Sequence, residues 1–203
     1  ICLSGVFAEE HSRRTDQVIL SSRFGKQPLY LAKIFAGLSF AAVSALIFSA
    51  VLIGTAIAVY GADGFSAAVQ LTRPEYSGHL SVGMAALLGY GVLLAASVLT
   101  AGIVLLLSQL LRSSTASLAL TAAGIICTMF VKIPDQYRIF GQLWDYLPFN
   151  FAAVWNILDV RLVSVFGKLF QSWQIVPVCY LLVTALLAAA GGMIYSHSQV
   201  RSR

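Results

Sequence analysis

The sequence predicts an all-α fold, a polytopic membrane helix bundle. Three observations carry that prediction. Of 203 residues, 59% are hydrophobic and 10% charged, where a soluble domain carries about 25% charge. The mean hydropathy is +0.84. Long uncharged runs alternate with short polar segments. A globular chain of this length can bury a core but still needs a polar skin. This one lacks it, so its solvent is lipid. The net charge of +5 is small and dispersed. It fits loops that obey the positive-inside rule and gives no footprint for nucleic acid.

Residues 1–8, "ICLSGVFA", are apolar and stop at Glu9 and Glu10. They read as the end of a preceding transmembrane helix, which makes this the C-terminal part of a larger membrane protein. Four runs follow that predict spans: 34–60, 82–111, 117–133 and 175–196. The first would reach roughly 40 Å at 1.5 Å per residue, enough for a ~30 Å hydrocarbon core. The third is short. It extends to Ile133 only if Lys132 snorkels to the surface, and Pro134 then ends it. Pro177 is expected in the first turn of the fourth, where a missing N–H costs least. Barrel strands of about ten strictly alternating residues do not fit these runs.

Small residues recur at helical spacing. Ala41, Ala45 and Ser49 form one stripe, Ala50, Gly54 and Ala58 a second, Ala188 and Gly192 a third. Such stripes let helices approach closely in lipid. Cys2, Cys127 and Cys179 lie in apolar stretches with no CxxC spacing. They read as small buried hydrophobes.

Charge sets the orientation. Segments 9–33, 112–116 and 197–203 carry Arg13, Arg14, Arg23, Lys26, Lys33, Arg112, Arg201 and Arg203. The longer segments 61–81 and 132–174 carry only Arg73, Lys132, Arg138, Arg161 and Lys168. The first set is denser in positive charge and is expected in the cytoplasm. Segment 134–174 is too polar at Asp159, Arg161 and Lys168 to span, and predicts outer interfacial helices. Trp144, Tyr146, Trp155 and Trp173 fit an aromatic belt there.

The interiors of the four spans hold no Asp, Glu, Lys, Arg or His. Ion-coupled transporters and intramembrane enzymes place ionisable groups at depth. Glu9, Glu10 and His11 form no HExxH, and His79 and His197 fall on opposite faces. "GKQP" at 25–28 lacks the spacing and the Ser or Thr of a phosphate loop and reads as a helix-breaking turn. Ser44, Thr55, Ser97 and Thr100 are expected to bond their own helix backbone. No catalytic group, metal site or cofactor site is expected. Any uphill work must draw on an outside source, and 9–33 is the one cytoplasmic segment long enough to receive it.

That segment, with its acidic Glu9 or Glu10, its "RRTDQVILSS" containing Thr15, its "RFGKQP" turn and Lys33 in "YLAKIFAGL", resembles the cytoplasmic element of the type-2 ABC exporter permease family. The family has a Pro before its turn arginine, whereas Ser22 precedes Arg23 here and the proline comes later, at Pro28. "DVRLVSVFGK" and "IYSHSQVRSR" also look like bacterial members. The resemblance implies the last four of six spans, a cytoplasmic coupling helix within 9–33, a C-terminus in the cytoplasm and a bacterial cytoplasmic membrane. It implies an ABC ATPase as a separate partner chain and a second permease subunit, identical or different. It assigns the ATPase contact to Glu9, Glu10, Arg13, Arg14, Thr15, Asp16, Arg23 and Lys26. Val18, Ile19, Leu20 and Phe24 would form an apolar patch suited to a partner's groove or to the lipid surface. The alternatives are a non-transporting membrane scaffold or sensor, and an integral membrane enzyme whose catalytic part lies upstream.

Overall fold

The computed structural model describes residues 2–8, 27–76, 78–111, 113–131, 133–134, 136–158, 162–165 and 167–197. Helix α1 is Gln27–Tyr60, 34 residues long. It starts seven residues before the predicted span, so Gln27 and Pro28 are helical and Lys33 lies inside the helix. Pro28 has the fixed φ of a first turn and lacks an N–H that the turn would leave unused. Gly61 ends the helix with φ 77, and its N–H meets the Ile57 carbonyl at 2.9 Å. That left-handed φ favours glycine.

Helix α2 is Val82–Leu111, matching the uncharged run. Helix α3 is Ser114–Phe130, 17 residues. It starts before the predicted 117 because the Ser113 side chain accepts from the Ala116 N–H as an N-cap. It stops short of Lys132. Three short helices follow: α4, Arg138–Asp145; α5, Pro148–Phe151; and α6, Val154–Ile157. Strands β1, Leu162–Val165, and β2, Lys168–Gln171, then pair antiparallel with Val165 opposite Lys168. Helix α7 is Ser172–His197.

The hairpin departs from the expected all-α fold. Val163 and Val165 favour β1 and Phe170 favours β2, and the turn between the strands contains Gly167 with φ 78. Pro177 also departs from expectation. It lies inside α7, where it removes the N–H that would meet the Trp173 carbonyl. Cys2, Cys127 and Cys179 are free and exposed. They sit on the apolar exterior, not in the core.

Among the described residues three helices, α1, α2 and α7, are long and apolar enough to cross a membrane. Helix α2 is central. Half of its most apolar window is buried, against 11% for α1 and 22% for α7. Helix α7 runs alongside α2 in the same direction. Val176 and Tyr180 pack near Val92–Leu99, Thr184 lies against Gly102, and the Gln109 amide donates to the Gly191 carbonyl at 2.9 Å. Helix α1 runs the opposite way, with Gly37 against Leu105.

The bundle therefore has two ends. One gathers Ala8, Gln27, Leu111, Ser114 and His197, and is called the basic end here for the Lys- and Arg-rich segments that adjoin these residues in sequence. The other gathers the described residues of 61–81 and 131–171, and is called the loop end. There Tyr76 donates to Gln171 at 3.1 Å, and Val69, Tyr76 and Leu158 form one core cluster. Helix α3 rises about 25 Å from the basic end where α2 rises about 45 Å. The short helices fill the difference. Phe151 is 1% exposed and packs with Val92, Leu99 and Tyr180, well below the loop end of α2.

Candidate functional site

The basic end holds a joint of aromatic and polar side chains. Residues 2–8 run towards it from the middle of the bundle, where Cys2 and Leu3 lie beside Phe40 and Thr100. The Phe7 and Ala8 N–H groups both donate to the Ser108 hydroxyl at 3.2 Å. That hydroxyl donates in turn to the Ser4 carbonyl at 2.7 Å. Ser108 is fully buried. It satisfies backbone that is not in a long helix, as a low-dielectric setting requires.

Phe7 stacks 5.8 Å from Tyr30 and 6.1 Å from Tyr195, and the two tyrosines are 5.4 Å apart. Lys33 Nζ lies 4.8 Å from the Phe7 ring centroid and donates to the Val6 carbonyl at 3.2 Å. Each aromatic contact contributes about 0.5–1.5 kcal/mol beyond burial. The Tyr30 hydroxyl donates to the Ala188 carbonyl at 2.7 Å. Gly191 and Gly192 admit the tyrosine ring because neither has a Cβ. One cluster thus holds the end of 2–8, the first turns of α1, the last turns of α2 and the end of α7.

The loop end holds a second network, built to satisfy the backbone of the short helices. Tyr180 donates to the Tyr146 carbonyl at 2.6 Å. The Tyr146 hydroxyl accepts from Gln142 at 2.9 Å and lies 3.0 Å from the Ser172 hydroxyl. Asn150 donates to the Trp144 carbonyl, Asn156 to the Asn150 carbonyl, and the Trp144 indole to the Val131 carbonyl, at 2.7–3.0 Å. Non-helical backbone is tolerated at membrane depth only with partners of this kind.

Between the two networks, clefts of about 410 and 390 Å³ share Leu93 and Ala152 and form a groove along α2. Among the described residues, no charged side chain lines either cleft. Ser97 donates to the Leu94 carbonyl at 2.8 Å and Thr100 to the Ala96 carbonyl at 2.7 Å, so both hydroxyls are turned to their own helix as expected. Thr55 does the same in α1. The groove suits apolar surface.

The predicted packing residues divide. Ala45 and Ser49 are buried, Ala41 lines the groove, and Ala188 and Gly192 meet Tyr30. Gly54 and Ala58 face outward, and nothing lies within 4 Å of a Cβ built at Gly54. The predicted ATPase contacts Glu9, Glu10, Arg13, Arg14, Thr15, Asp16, Arg23 and Lys26 lie outside the described residues. Sequence reasoning missed Phe7, Tyr30, Ser108 and Tyr195. The one local signal was the polar pair Ser108-Gln109 closing an otherwise apolar run. Among the described residues no group of His, Cys, Asp and Glu can hold a metal ion. No family model, curated protein or solved structure matches the chain.

Proposed function

We propose that this chain is the membrane-spanning permease subunit of an ATP-driven exporter, resembling the type-2 ABC permeases, with a separate ATPase binding residues 9–26. One observation carries the reading. Phe7 and Tyr30, which lie within four residues of the two sequence ends of 9–26, meet in one packed joint that also holds the end of α7. A segment anchored in that way can pass a push from a partner into the bundle. The uncharged span interiors support an external energy source, since they offer no relay for ion coupling. A second permease subunit completes the pathway, the basic end faces the cytoplasm by the positive-inside rule, and the shorter α3 serves as the fourth membrane segment.

Co-purification of the full-length protein with its ATPase tests this. Arg14→Ala, Thr15→Ala and Asp16→Ala together are expected to abolish the complex and the stimulation of ATP hydrolysis. Unchanged binding and stimulation would overturn the contact. If no ATPase is retained even by the unmodified protein, the scaffold or sensor reading replaces this one.

A further inference from the structure

The joint connects two helices that its sequence positions do not connect. Tyr30 lies in the first turns of α1, while Ala188, Gly191 and Tyr195 lie near the end of α7. Between them run a hydrogen bond of 2.7 Å and a ring contact of 5.4 Å. Phe7 closes the triangle, and Lys33 reaches across to the Val6 carbonyl. Farther along α1 the coupling fades. Its most apolar window is 11% buried, Gly54 and Ala58 are exposed, and a Cβ built at Gly54 meets nothing within 4 Å. The Tyr30 and Lys33 bonds that tie α1 to other segments both lie at its basic end.

We infer that Tyr30 is a positioning residue that makes the first turns of α1 and the last turns of α7 move as one body, so that displacement of α1 is delivered to α7 and not dissipated in lipid. The inference rests on the exporter reading, because the displacement is supplied by the ATPase. Three features make the joint stiff. The phenol bond is part-buried beside the Gln109 amide, and a bond shielded from water is stronger than one in water. The rings have few rotatable bonds. Gly191 and Gly192 bring the α7 backbone against the Tyr30 ring, leaving no side chain to give way.

The test uses the full-length protein with its co-purified ATPase in lipid nanodiscs, Cys2, Cys127 and Cys179 replaced by alanine. Spin labels are placed in two pairs, Gln27→Cys with Glu75→Cys and Ile194→Cys with Glu75→Cys. All three label positions are exposed. Electron–electron distances are read without nucleotide and with ATP and vanadate. Both pairs are expected to shift in the parent. In Tyr30→Ala the 27–75 shift should persist and the 194–75 shift should vanish. Tyr30→Phe keeps the ring, loses only the bond to Ala188 and should reduce the 194–75 shift, which covers the case in which the alanine variant does not fold. Full 194–75 shifts in both variants would overturn the joint while leaving the exporter reading intact. No shift in either parent pair would overturn both.

Discussion

The Tyr30 hydroxyl donates to the Ala188 carbonyl at 2.7 Å across 158 residues of sequence. Tyr30→Phe removes that bond alone and is expected to lower stability by about 1 kcal/mol. Tyr30→Ala also removes a buried ring and should cost about 3–5 kcal/mol. Unfolding in mixed micelles measures both. Equal losses would mean that the ring contributes nothing, contrary to its contacts with Phe7 and Tyr195.

Two glycines give a matched contrast. A Cβ on Gly191 would fall 2.5 Å from the Tyr30 hydroxyl oxygen, whereas one on Gly54 meets nothing within 4 Å. Gly191→Ala should therefore displace the tyrosine and cost about 1–3 kcal/mol. Gly54→Ala should be neutral or stabilise by up to about 1 kcal/mol through helix propensity. Thermal melting in one detergent compares them directly, and the reverse order would contradict the packing described here.

Two buried serines differ in the same way. Ser108 accepts from two N–H groups and donates to a carbonyl. Ser108→Ala removes these bonds and should cost about 1–3 kcal/mol for each of the Phe7 and Ala8 N–H groups that stays dry. The Ser117 hydroxyl is buried with no partner among the described residues. Ser117→Ala removes an unsatisfied donor and should leave the melting temperature unchanged or higher. A large loss at Ser117 would show that its hydroxyl has an undetected partner.

The bundle's polarity is open to labelling. In a protein freed of its native cysteines, Gln27→Cys and Glu75→Cys are expected to react with an impermeant maleimide from opposite sides of sealed vesicles. Labelling of both from one side would exclude the arrangement of ends described above.

Much of this was legible in the sequence because lipid imposes simple rules. An uncharged run of thirty residues has few alternatives to a helix, so 82–111 could be read to the residue. Boundaries set by local capping were less visible. Ser113 lengthened α3 at its start, and Pro28 drew α1 back into the expected turn. Segment 134–174 predicts interfacial helices because its charges oppose a span. Its later part is a hairpin, with Val163 and Val165 on one strand, Phe170 on the other and the left-handed turn at Gly167 favouring that pairing. The joint could not be read at all. Phe7, Tyr30 and Tyr195 are ordinary apolar residues in their own neighbourhoods, and only the antiparallel course of α1 and α7 brings them together.

Helix α3 stops about 20 Å short of the height that α2 reaches, and stacked fragments complete the wall above it. The molecule is thus mechanically lopsided. Towards the basic end it consists of continuous rods, which transmit strain with little loss. Towards the loop end it is a mosaic of short pieces held by side-chain amides and phenols, whose seams can slide without breaking a helix. Any cavity that opens and shuts in this bundle will do so more cheaply on the mosaic side. Backbone amides of 138–158 should accordingly exchange with deuterium well before those of 95–108.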